Sequence, residues 1–320
     1  MFLIMCVIFG HVPLLDGFID IGLPEEYDNF TNAAVRGIYA FHMPLFVLMS
    51  GYFSKRKTIG GQFRSSLRLL WLFAIFQVLD LTMQSWAYGA IPPLRGLFHP
   101  CFALWYLLCL FYWRMLLAFI PEKWDSRWVV AVSVVISLAI GFTPIRGEMG
   151  LHRFFSFMPY FMVGHYYGGK MLQFIDNKVV GRFTPPRKIF TVFMFAAIMA
   201  IVSFNPHWLD VIIFPYSKSW IVILRTAFLA YSLVLCCLLL IMFSFKRDWQ
   251  GNVFSKLGSD TLFFYLVHPY ILYCLVRLWA SFYDRINIFD TFIISAVAVL
   301  ILSLMEKAKN NLLISKSNGI

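Results

Sequence analysis

The chain has 320 residues, 60% of them hydrophobic, 19% aromatic and only 13% charged, with a formal net charge of +11 and a mean hydropathy of +0.74. Soluble globular chains carry about 25% charged residues, so this one lacks the polar groups to cover a water-exposed surface of its size. The same numbers exclude disorder, 19 Gly and 14 Pro without a period exclude a collagen-like repeat, and six Cys in so long a chain exclude a disulfide scaffold.

What remains is an integral membrane protein. A transmembrane helix needs about 20 mostly apolar residues, whereas a barrel strand needs about ten that alternate, and the runs here are long and unbroken. In chain order the predicted helices are Met1 to Leu15, Ala33 to Phe53, Leu67 to Tyr88, Phe102 to Ile120, Trp128 to Phe142, Phe154 to Leu172, Ile189 to Phe204, Trp220 to Phe245, Thr261 to Ala280 and Ile288 to Met305. The expected fold is therefore all-α: one domain over residues 1–320, a polytopic membrane helix bundle of about ten transmembrane helices.

Lys and Arg in short loops mark the cytoplasmic side. Lys55, Arg56, Lys57, Arg64 and Arg68 follow the second segment, and Lys170, Lys178, Arg182, Arg187 and Lys188 follow the sixth. Lys123 and Arg127, then Lys246, Arg247 and Lys256, then Lys307, Lys309 and Lys316 alternate with them, so both termini are expected in the cytoplasm. The first outer loop carries Asp16, Asp20, Glu25, Glu26 and Asp28 with no cation before Arg36. This bias and anionic headgroups account for the +11 charge, so no nucleic-acid partner is expected; membrane lipids are. Cys6, Cys101, Cys109, Cys236, Cys237 and Cys274 lie in or at the ends of apolar runs without CxxC spacing, and read as small core residues rather than metal ligands. No metal site and no cleavable signal segment are expected.

Polar groups inside a bilayer are expensive unless paired, so their positions mark function. His11, His42, His165 and His268 fall in the first, second, sixth and ninth segments, and an imidazole can take a hydroxyl proton and return it within one turnover. Three contexts are unusual: Gly10-His11-Val12-Pro13, Phe41-His42-Met43-Pro44 with Ser50-Gly51 beyond it, and Leu257-Gly258-Ser259-Asp260-Thr261 leading to Tyr265-Leu266-Val267-His268-Pro269. Proline removes a backbone donor within a helix, Ser-Gly allows close backbone approach, and Ser259 or Asp260 suits a helix start. Together they predict helices broken around a polar cavity.

These residues carry a resemblance. Val7-Ile8-Phe9-Gly10-His11, Phe41-His42-Met43-Pro44-Leu45-Phe46 with Ser50-Gly51-Tyr52, Leu104-Trp105-Tyr106-Leu107, Phe154 to Gly164 and Leu257 to Pro269 together resemble the acyltransferase-3 family of integral membrane O-acyltransferases, in its fucose 4-O-acetylase-like branch. The resemblance implies an enzyme of the bacterial inner membrane that takes an acyl group, commonly acetyl from acetyl-CoA, and places it on a hydroxyl of a cell-surface or lipid-linked glycan. His11 matches the family's essential first-helix histidine, as general base or as acyl carrier. Arg64 and Arg68 suit the phosphates of CoA, with Lys55, Arg56 and Lys57 as a looser funnel, or all serve as inside-rule anchors. His42, Ser50, Trp105, Arg153, Tyr265 and His268 are the expected substrate-binding residues. Trp105 is read as a saccharide platform or an interfacial anchor, Arg153 as a contact to acceptor anion or lipid headgroup, and Ser50, Tyr265 or His268 as oxyanion donors.

Two features depart from the pattern. Family members carry a basic stretch about ten residues before the histidine, whereas this chain begins ten residues before His11, and at about 1.5 Å per residue these reach through half a bilayer. That implies a start placed too late, a truncated gene or a first helix that inserts incompletely. His11 to Asp16 also reads HxxxxD, but the Arg and Pro blocks of the glycerol-phosphate acyltransferases that use that spacing are missing. The competing function is a secondary transporter or exporter of a sugar or lipid-linked sugar, which ten spans and midplane histidines also fit. Against it stand the lack of an inverted repeat and the scarcity of acidic residues in the spans, where Asp80 and Asp260 are the main ones.

Overall fold

The computed structural model describes residues 1–13, 29–88, 94–179, 184–203, 215–244, 261–283 and 286–317. Among them there is no strand, and each of the ten apolar segments contains an α-helix. The helices are α1 (Phe2–His11), α2 (Asn29–Phe53), α3 (Ile59–Tyr88), α4 (Trp105–Phe119), α5 (Ser126–Ala139), α6 (Leu151–Phe174), α7 (Pro185–Ser203), α8 (Ile221–Ser244), α9 (Thr261–Ala280) and α10 (Ile288–Ser317). Six contain a stretch long and apolar enough to cross a membrane: α2, α3, α7, α8, α9 and α10. The apolar helices α1, α4 and α5 are shorter. This is a multi-pass helical membrane protein.

Local chemistry sets the helix ends. Asp125 caps α5 by accepting the Arg127 N–H at 2.8 Å. At α10 the caps are reciprocal: Asn287 Oδ1 accepts from the amides of Phe289 (2.8 Å) and Asp290 (3.1 Å), and Asp290 Oδ2 accepts from Asn287 N–H at 2.9 Å. Arg56 donates from Nε to the Leu117 carbonyl at 2.9 Å and from Nη2 to the Ile120 carbonyl, which satisfies the open end of α4. Helix α7 opens on Pro185, where a missing N–H costs nothing. Gly150 precedes α6 at φ +68°, a left-handed conformation in which a Cβ is strained.

The helices form two compact units, Met1–Ile38 with Arg247–Ile320, and Tyr39–Lys246. In the first, α1 packs on α9 and α10, with the rings of Phe9 and Phe292 4.7 Å apart. In the second, α3 packs on α4, α5 on α6, and α7 on α8. There α2 and α6 cross with their backbones touching: a Cβ on Gly164 would overlap the Leu48 carbonyl, and one on Gly51 the Phe161 carbonyl. The close approach expected at Ser50-Gly51 is thus a helix crossing, of the kind small residues permit in membranes.

Beside an apolar core that includes Trp113, Phe161 and Phe264, the surface is itself rich in large apolar side chains. Trp71 (64% exposed), Ile201 (72%) and Phe289 (74%) face outward, while Gln62, Gln77, Ser137, His152 and Arg225 are buried. Only a solvent as apolar as lipid tolerates that arrangement. Of the six cysteines, all reduced, four are buried and Cys237 half-buried, whereas Cys274 is exposed. Ser259, Asp260 and the acidic first outer loop, Asp16 included, lie outside the described residues.

Candidate functional site

His11 is the last residue of α1, and its imidazole is buried. Its Nδ1 lies 2.8 Å from Nε2 of His268, and the two rings are nearly parallel, tilted by 13° with centroids 5.1 Å apart. His268 is fully buried in the middle of α9. Its Nδ1 donates to the carbonyl of Tyr265 at 2.8 Å and reaches that of Phe264 at 3.1 Å. Tyr265 places its own buried ring 6.1 Å from that of His268. The three expected site residues of this unit, 257 positions apart at the extremes, thus form one cluster.

The second unit holds the others. His42 is fully buried and meets the ring of Tyr39 edge-on at 4.5 Å. Ser50 donates its hydroxyl to the Phe46 carbonyl at 2.8 Å, so its oxygen accepts from the Tyr106 hydroxyl in a short hydrogen bond. Trp105 is buried, stacks on Phe157 at 5.4 Å and carries the Arg153 guanidinium 5.1 Å from its ring centroid. His165 donates Nδ1–H to the Ser54 carbonyl at 2.9 Å, a tie at the end of α2. Arg64 and Arg68 belong to α3 rather than to a loop, because that helix starts at Ile59; four residues apart, they share an exposed face, opposite the buried Gln62 and Ser66.

Three buried polar residues escaped the reading of the sequence. Gln77, inside α3, donates to the carbonyls of Gly96 (2.8 Å) and His99 (2.7 Å) and accepts from the Cys101 amide (2.9 Å), which fastens the segment leading into Trp105 and Tyr106. Arg225 donates to the Ser137 carbonyl at 2.9 Å, and its Nη2 lies 3.5 Å from Nε2 of His152. The signal for Arg225 was available, since it is the one charged residue between Ile221 and Ser244. Outside the helices, backbone amides at Glu148 itself and at Arg146 hold the Glu148 carboxyl below the ordinary range, with His99 3.9 Å away. Burial pushes the Cys101 thiol up to about 12, which favours its protonated form. Among the described residues no group of three or more metal-binding side chains comes together.

The family model for an acyltransferase domain matches residues 1–305. The chain belongs to the acyltransferase-3 family. No curated protein and no solved structure matches it. As a membrane acyltransferase of this family it moves an acyl group, and the chemistry needed is a base for the acceptor, donors for the developing oxyanion and a place for the acyl donor. The His11–His268 pair places two buried imidazoles within hydrogen-bond distance of each other.

Proposed function

We propose that this acyltransferase transfers acetyl from acetyl-CoA to a hydroxyl of a cell-surface or lipid-linked glycan, in the fucose 4-O-acetylase-like branch of its family. It works in the bacterial inner membrane, crossing it ten times with both termini in the cytoplasm. The observation that carries the reading is the buried imidazole of His11 hydrogen-bonded to a second imidazole. A histidine in a membrane helix marks a functional position, and acyl transfer to a hydroxyl needs a base for its proton.

In the reaction, the acceptor hydroxyl loses its proton to His11 as its oxygen attacks the thioester carbonyl. The tetrahedral intermediate then collapses, the C–S bond breaks, and the departing thiolate of CoA takes the proton back. Arg64 and Arg68 attract the CoA phosphates at the membrane edge; their exposure and common face support this. In the first unit Tyr265, whose ring lies beside that of His268, contacts the acceptor; in the second unit Trp105 with Arg153 over its ring, His42 and Ser50 are read as substrate-binding residues. No metal takes part in this scheme. The test is incorporation of label from [14C]acetyl-CoA into the glycan of membranes that carry the chain: His11→Ala drops it to background while the protein remains inserted. Full labelling by an inserted His11→Ala variant removes the assignment, and export of an unmodified sugar without labelling favours a transporter.

A further inference from the structure

We propose that His268 is a positioning residue that fixes the tautomer of His11, so that Nε2 of His11 is the nitrogen that accepts the proton of the acceptor hydroxyl. The inference rests on the reading of His11 as the base. Pro269 follows His268 in α9. A proline has no N–H, so in α9 it cannot give the i→i−4 hydrogen bond to the carbonyl of Tyr265. His268 Nδ1 supplies a donor to that carbonyl at 2.8 Å. A carbonyl oxygen only accepts, so Nδ1 of His268 carries its proton.

A neutral His268 protonated on Nδ1 has its lone pair on Nε2, and that atom faces Nδ1 of His11 at 2.8 Å. Two lone pairs at this distance repel, so His11 donates from Nδ1, and a neutral His11 then keeps its lone pair on Nε2. The sequence Tyr-Leu-Val-His-Pro therefore dictates, through one backbone carbonyl and two rings, which nitrogen of a histidine 257 positions away acts as the base. An aspartate orients the base in the same way in the serine protease triad, but here the orienting group is a neutral imidazole.

The test uses the full-length protein in membranes with its endogenous glycan acceptor and [14C]acetyl-CoA. His268→Ala and His268→Phe lower the saturated rate about 100-fold, the scale of a lost acid–base contribution, with KM for acetyl-CoA unchanged. His268→Gln, whose Oε1 can accept from His11 Nδ1–H, recovers at least ten-fold of that loss, which a merely structural histidine would not predict. Histidine-labelled protein in bilayers gives a second readout by 15N NMR: His11 is protonated on Nδ1 in the parent chain and changes tautomer in His268→Phe. Parent rates in His268→Ala, a His268→Gln variant no better than His268→Ala, or a His11 protonated on Nε2 in the parent would each overturn the inference. His11→Ala is run alongside: if it is active, the reading of His11 as the base fails, whereas an inactive His11→Ala with a fully active His268→Ala removes only the role of His268.

Discussion

Replacing Gln77 by Leu keeps the volume of the side chain but strips three hydrogen bonds from the segment between Gly96 and Cys101. The buried Cys101 amide and two carbonyls then lose their partner, at about 1–3 kcal/mol for a buried group left unsatisfied. We expect Gln77→Leu to cost about 3 kcal/mol overall, read as a lower unfolding midpoint in detergent. Gln84→Leu is the control. Its amide makes a long 3.7 Å contact to the Cys101 sulfur, and its loss should stay under about 1 kcal/mol; equal losses from the two variants would mean that the clamp is not what stabilises this segment. At this scale the sequence was half legible. The special position of His11 and the His-Pro dipeptide at 268 could be read directly, because proline chemistry is local. That the two histidines meet could not, since the pairing depends on how α1 lies on α9. Gln77, His152 and Arg225 were missed for another reason: they are single polar residues in a largely apolar buried core, and a search for apolar runs passes over them.

The crossing of α2 and α6 depends on having no side chain at two positions. Gly164→Ala drives a methyl group into the Leu48 carbonyl; backbone cannot step aside as a side chain can, so the helices must separate at a cost of about 1–3 kcal/mol. Gly60, at the start of α3, has nothing within 4 Å of where its Cβ would be, and Gly60→Ala should leave stability unchanged or raise it by up to about 1 kcal/mol. Thermal unfolding of the two variants checks this, and a Gly164→Ala protein as stable as the parent would show that the crossing is not tight. All ten helices were legible as apolar runs, but their ends were not. Helix α3 begins eight residues before the run Leu67 to Tyr88 because backbone hydrogen bonding continues where hydrophobicity stops, and this turns Arg64 and Arg68 from loop residues into one face of a helix. Likewise α10 continues past Met305 to Ser317 through Glu306, Lys307 and Lys309.

At the largest scale, many large apolar side chains lie exposed while a few polar ones, such as Arg225 and His268, are buried among an apolar core, as the composition requires. The family and the helical class follow from residues that can be read in one dimension. The proposed ten-span topology predicts that, in a background without native cysteines, a single cysteine at Lys57 is labelled by an impermeant maleimide only after the membrane is opened. One at Arg146 should be labelled in intact cells. Labelling of both from the same side would contradict the alternation of cations on which the topology rests. The central claim is that this chain transfers an acetyl group through His11, and one comparison tests it most directly: parent and His11→Ala membranes, matched for inserted protein, supplied with [14C]acetyl-CoA. The account predicts label in the glycan with the parent and background with the variant; equal labelling in the two, or none in either, would contradict it.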